Sequence, residues 1–207
     1  MAHIFATTTH QLSHGTILTR RIILSRYSSA ITTSTTKDEI TTNTYPNTVT
    51  SLSPDGIFTI KMNNPKTLNA WTQPMLHEIK SHFERASTSP EIKITILTGD
   101  GCRYYCSGVN LSSILKPMHP AKLHSLCRTK NQELFDLFLD ANKPIIAAVN
   151  GPAVGASVTS ATLCDAVIAS ENATFSTPFH KFGFRAEGCA SVHFPLLMGE
   201  EASTRMM

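Results

Sequence analysis

The chain has 207 residues, 41% of them hydrophobic, and a formal net charge of +3, which suits one domain with a real core and is short for two. Arg20, Arg21, Arg26 and Lys37 against Asp38 and Glu39 place +2 of that charge in the first fifty residues, so the remainder is close to neutral and shows no nucleic-acid footprint. No apolar run approaches the ~18 residues of a membrane span.

Residues 1–50 are predicted to lie outside the folded core. The stretch HGTILTRRIILSRYSSA, from His14 to Ala30, is basic, has apolar residues on one possible helical face, and precedes the first acid, Asp38. That is the composition of a mitochondrial transit peptide, with an ordinary disordered tail as the alternative. Between Ser28 and Ser53 serine and threonine dominate, too polar a segment to offset its ordering entropy by burial. The folded domain is accordingly expected over residues 51–207.

From Gly56 the texture changes. GIFTIKMN alternates as a strand does. After an Asn-Asn-Pro turn, Met75, Leu76, Ile79 and Phe83 recur at helical spacing, with Thr72 as cap and Pro74 in the first turn. EIKITILTGDG reads as a strand running into a glycine-rich turn. Leu123, Leu126, Leu134, Leu137 and Phe138 predict a helix from Ala121 to about Asp140. KPIIAAVNG is a short apolar run, as for a strand buried on both faces. Alternating strands and helices predict an α/β layered fold. The five cysteines, Cys102, Cys106, Cys127, Cys164 and Cys189, fit no zinc spacing and read as buried or incidental thiols.

The run NGPAVGASV, from Asn150 to Val158, carries no obvious nucleophile, base or metal ligand. A strand that ends at Gly151-Pro152 and enters a helix near Gly155 aims several free N–H groups at one point. Gly155, Ala156 and Ser157 let a ligand oxygen approach that backbone. The stretch lacks the lysine and spacing of a phosphate-binding loop. Close helix–strand packing also wants small residues, and on this stretch alone packing is the better reading. TGDGCRYYCSGVNL, from Thr98 to Leu111, again leaves a strand, turns on glycine and presents Ser107 ahead of Gly108. Two such strand ends could each supply one N–H to a shared oxyanion hole.

YYCSGVNL together with KPIIAAVNGPAVGASVTSATLCDAVIASENATFSTP resembles the crotonase (enoyl-CoA hydratase/isomerase) superfamily, over about Ile57 to the C-terminus. Within it the chain is similar to the peroxisomal-type 3,2-trans-enoyl-CoA isomerases. The resemblance implies an α/β fold with a repeated ββα spiral core. It implies an acyl-CoA thioester as substrate, CoA being part of the substrate rather than a cofactor, and no metal. The thioester oxygen would accept from the backbone N–H groups of Ser107 and Ala156. Leu68, Asn69 and Ala70 of the LNAW segment, Cys106, Ser107, Gly108, Val109 and Asn110, and Gly155 would line the CoA and substrate side. Asn110 stands where the family's SGND pattern carries an acid.

The family's hydratases carry two glutamates. The corresponding positions here are Thr159 and Phe179, neither a general acid or base, so hydration is not expected. The remaining carboxylate is Glu187 in FGFRAEGCAS. Read on its own it is a solvated loop glutamate. The resemblance makes it the base that moves a proton between C2 and C4, with Phe179 and Phe182 as an apolar wall that raises its basicity. His180 and His193 read as structural or exposed, and Asp165 as a cap or pair at its helix end. The expected activity is enoyl-CoA delta isomerisation in unsaturated fatty-acid β-oxidation. A non-catalytic crotonase-fold protein that binds acyl-CoA or a partner is the alternative, and a thioester hydrolase is weaker because no second acid is evident. The resemblance also implies further C-terminal helices that build a homotrimer; these are absent before Met207, so the domain is expected to be truncated. Localisation is expected to be mitochondrial, or else peroxisomal.

Overall fold

The computed structural model describes residues 22–24, 40–101, 103–114 and 117–207. The remainder of the expected targeting segment, and Cys102, lie outside the described residues. Ile22–Leu24 form strand β1, where the sequence reading allowed a helical face. Strand β2 (Thr41–Thr44) and strand β3 (Thr48–Leu52) form an antiparallel pair. The sheet therefore begins ahead of residue 51, which corrects the expected boundary. The physical reason is that threonine and valine are strand formers whatever their polarity. Thr48 and Thr50 are fully buried, and Glu78 accepts from the Asn47 N–H at 3.1 Å, the Asn47 amide at 2.7 Å and the Thr48 hydroxyl at 2.7 Å.

Strand β4 (Ile57–Met62) follows the predicted alternation, with Phe58, Ile60 and Met62 fully buried. Helix α1 (Gln73–Thr88) starts at Thr72, whose side chain accepts from the Met75 N–H, with Pro74 in the first turn. It buries Met75, Ile79 and Phe83, each worth about 1.5–3 kcal/mol relative to exposure. Strand β5 (Ile94–Gly99), a short helix α2 (Leu111–Ile114) and the long helix α3 (Pro120–Leu139) come next. Only the second half of α3 reaches the core, through Leu134, Phe135 and Phe138.

Strand β6 (Ile145–Val149) leads through the two-residue strand β7 (Ala153–Val154) into helix α4 (Ala156–Leu163). Ile145, Ala147 and Val149 are buried, but Ile146 and Ala148 are only half-buried. The expectation of burial on both faces is thus corrected: β6 shares one hydrophobic core with α1, α3 and α4, and its other side is less covered. Strand β8 (Ala166–Ala169), strand β9 (Phe175–Ser176), helix α5 (Ala190–Met198) and helix α6 (Glu200–Met206) complete the elements.

Among the described residues the main sheet has seven strands, in the order β1-β8-β6-β5-β4-β3-β2. Pairing is parallel from β1 to β4 and antiparallel from β4 to β2. β7 and β9 form a separate parallel pair. This is an α/β fold, and the parallel order places the ends of β5 and β6 side by side. Asp165, after α4, accepts from the Ile145 N–H at 2.9 Å while its own N–H returns to the Ile145 carbonyl.

Candidate active site

The two glycine-containing turns meet. Asn150, at the end of β6, reaches across to β5: its side-chain oxygen accepts from the Gly99 N–H at 3.2 Å, and its amide donates to the carbonyls of Gly99 and Gly101. Cys106 forms a parallel bridge to Ala153. The Ser157 hydroxyl donates to the Cys106 carbonyl at 2.8 Å and accepts from the Val154 N–H at 2.9 Å. Ser157, fully buried, is thus the tie between the turns.

Gly108 has φ of +86°, and a Cβ there would fall 2.5 Å from the Val154 carbonyl oxygen and 3.8 Å from the Ala156 nitrogen. Only glycine permits so close an approach. Gly155, with φ of +61°, faces open space: a Cβ there would meet nothing within 4 Å. Ala156 opens α4, so its N–H has no intrahelical acceptor. Ala156 itself is buried; a donor without a helical partner, one residue from the open space at Gly155, suits an anionic oxygen.

The second expected donor is differently engaged. The Ser107 N–H donates to the Leu68 carbonyl at 3.0 Å, and its hydroxyl donates to the Thr67 carbonyl at 3.2 Å. Leu68 and Asn69 both have φ of 56°, an uncommon conformation for residues with a Cβ. Asn69 holds that loop: its side chain accepts from the Asn64 N–H and donates to the Asp100 and Tyr104 carbonyls. Asn69 and Ala70 are buried, while Leu68, Ser107, Val109 and Asn110 keep partial exposure. The Asn110 side-chain oxygen accepts from the Ser113 N–H and the Ser112 hydroxyl at the start of α2, so the amide still anchors this loop. Burial pushes the Cys106 thiol up to about 12, which leaves it inert at neutral pH.

Glu187 is half-buried. The Asn131 amide, on α3, donates to its Oε2 at 2.5 Å. Burial raises the carboxyl pKa above the usual glutamate range, and the bond from Asn131 opposes that rise. The next residue, Gly188, lies against Phe135 of α3 and Thr159 of α4. Thr159 stands one turn beyond Ala156, about 4.5 Å along the axis, and its hydroxyl donates to the Ala156 carbonyl. The carboxylate segment and the Ala156 N–H therefore flank the first turn of one helix.

The expected apolar wall is corrected. Phe179 is buried, but Phe182 is 60% exposed and stacks on Phe184; the ring packed against the glutamate's segment is Phe135. Asn131 and Phe135 were not singled out by sequence reasoning, and their only signal is their spacing of one helical turn on the inward face of α3. His180 is exposed. Among the described residues no cluster of His, Cys, Asp and Glu could hold a metal, and no helix is long and apolar enough to cross a membrane. A cavity of about 330 Å³ between α1 and α3, bordered by Lys80, Glu133, Asp136 and Lys143, contains none of the expected site residues.

The model of the family described as enoyl-CoA hydratase/isomerase matches residues 53–207, and the chain belongs to that family. It is 42% identical over 163 residues to enoyl-CoA delta isomerase 2 of Homo sapiens, covering 77% of this chain and 41% of that protein. It is 37% identical over 158 residues to peroxisomal enoyl-CoA delta isomerase 3 of Mus musculus, covering 75% and 49%. The chain thus spans less than half the length of these two relatives. A solved enoyl-CoA hydratase from Mycobacterium avium subsp. paratuberculosis K-10 superposes with a TM-score of 0.64 at 31% identity, covering 77% of this chain and 59% of the other. A structure from Mycobacterium abscessus gives a TM-score of 0.70 at 25% identity, covering 77% and 62%. The fold is the crotonase fold.

Proposed function

We propose that the chain is an enoyl-CoA delta isomerase, which moves the double bond of a 3-enoyl-CoA to the 2-trans position. The observation that carries this reading is Glu187, half-buried and held by Asn131, in a segment whose next residue, Gly188, packs on Thr159 in the first turn of α4. The carboxylate takes a proton from C2 of the thioester. The electron pair spreads into a dienolate, whose oxygen accepts from the Ala156 N–H. The same carboxyl returns the proton at C4. Asn131 is a positioning residue that holds Oε2 and limits the rise in basicity. Thr159 and Phe179 offer no second acid to activate water, which favours isomerisation over hydration. The identities to the two delta isomerases support the same choice.

The test is a 3-enoyl-CoA carrying deuterium at C2. The reading expects 2-enoyl-CoA with part of the label at C4, formed about 10²–10⁴ times more slowly by Glu187→Gln. Absence of product from the wild-type chain would refute it.

A second reading, an acyl-CoA-binding or partner-binding protein without turnover, is favoured by one observation: the Ser107 N–H is engaged by Leu68. Calorimetry showing acyl-CoA binding without isomerisation would select it. Mitochondrial delivery by the basic N-terminal stretch, with a peroxisomal location as the alternative, is likewise a proposal, checked by where a reporter fused to residues 1–50 goes.

A further inference from the structure

Gly188 occupies a space between two helices that admits no side chain. Its φ is +57°, and a Cβ there would lie 2.5 Å from two ring carbons of Phe135 and 2.8 Å from Cβ of Thr159. Neither neighbour has room to yield. Thr159 is fully buried in α4, and Phe135 is 4% exposed within the core. Phe135 also lies one turn along α3 from Asn131, the donor to the Glu187 carboxylate. Thus α3 grips the 187–188 segment at two consecutive turns, at the carboxylate and at the glycine. At the same glycine α4 closes the grip through Thr159. Beyond it, the Glu187 carbonyl accepts from the Ala190 N–H at 3.0 Å, at the start of α5.

We infer that Phe135, Gly188 and Thr159 form a clamp that positions Glu187 as the sole proton carrier and seals position 159 away from the substrate. The clamp has two consequences for specificity. A carboxylate at 159 would have to displace the Gly188 backbone, and Glu187 with it, so a second acid on α4 and a working base at 187 exclude each other here. The Phe135 ring also packs against the backbone that follows the base, and apolar packing there keeps water out of the segment. The scaffold therefore selects proton transfer over water addition through packing, in addition to the identity of its acids.

The inference rests on the isomerase reading, and its test separates the two. The full 207-residue chain is compared with Gly188→Ala, Phe135→Leu and the double variant. The measurements are kcat and KM for a 3-enoyl-CoA against pH, and ionisation of the Glu187 carboxyl by infrared difference spectroscopy against Glu187→Gln. The infrared titration needs no turnover. Gly188→Ala should lower kcat about tenfold or more by displacing the base, with KM changed less than about threefold. Phe135→Leu admits water, so the acid limb of kcat and the infrared titration should both move to lower pH. The double variant should regain at least about threefold of the kcat lost in Gly188→Ala, because the smaller side chain makes room for the added methyl. If Gly188→Ala does not fold, the infrared titration of Phe135→Leu decides. Wild-type kcat in Gly188→Ala, or an unshifted titration in Phe135→Leu, overturns the clamp. A wild-type chain that does not isomerise overturns the functional reading instead, while the titration still judges the clamp.

Discussion

Glu187 carries opposing demands. Burial raises its pKa, which makes it a stronger base and makes its ionised form costly to the fold. A carboxyl whose folded pKa is raised binds protons more readily folded than unfolded, so its stabilising contribution is present at low pH and fades as pH rises through the folded pKa. Glu187→Gln should therefore melt at a higher temperature than wild type at pH 7, and this gain should vanish near pH 4, as thermal unfolding at both values would show. Activity runs the other way. It should be lost as pH falls, along a limb above the usual glutamate range, because the proton must be off Glu187 before it can take one from C2. The two backbone donors differ as well. Ala156→Pro deletes the first N–H of α4 and should cost about 2.7–4 kcal/mol of transition-state stabilisation, measured as kcat/KM. Ser107→Ala removes a hydroxyl directed at Thr67, not at the site, and should leave most of the rate. A large loss there would mean that the hydroxyl itself takes part.

At the scale of elements, the β2–β3 hairpin and α1 are held by a small polar cluster. Glu78 accepts three bonds from Asn47 and Thr48, and the His82 ring lies 2.9 Å from the Thr48 hydroxyl. Tyr45 and Phe58 meet the imidazole edge-on. Burial lowers the His82 pKa below 6.5; Glu78 opposes this and Arg85 adds to it. Because the folded state holds His82 neutral, its contribution is complete above pH 6.5 and is lost as pH falls toward the folded pKa. Denaturant unfolding at pH 7.5 and pH 5.5 should show a larger loss for wild type than for His82→Gln. The same hairpin explains a limit of sequence reading. Helices α1 and α3 and strands β4 and β5 were legible from their apolar and turn patterns, and β6 as a short apolar run, whereas α2, α5 and α6 were not read from the sequence. The stretch from Thr41 to Thr50 was not, because its buried residues are threonines, polar by composition and strand-forming by shape. Deleting residues 1–50 should therefore lower the melting temperature by removing β2 and most of β3, where composition alone implied a dispensable tail.

Across the molecule, the turns at Ser107 and Ala156 and the glutamate at 187 were legible through the family resemblance, since they lie in continuous motifs. What completes the site was not legible, because it depends on pairs far apart in sequence. Asn131 meets Glu187 across 56 residues, and Phe135 meets Gly188 across a similar span. Phe182 faces outward and stacks on Phe184, which no periodic pattern in the sequence encodes. The central claim is that one carboxylate performs the chemistry while backbone groups hold the thioester. Its most direct test is single-turnover isomerisation of a 3-enoyl-CoA by wild type and Glu187→Gln, with acyl-CoA affinity measured separately by calorimetry. A fall of about 10²–10⁴ in rate with affinity little changed is the predicted result. Near-normal turnover in Glu187→Gln would contradict it.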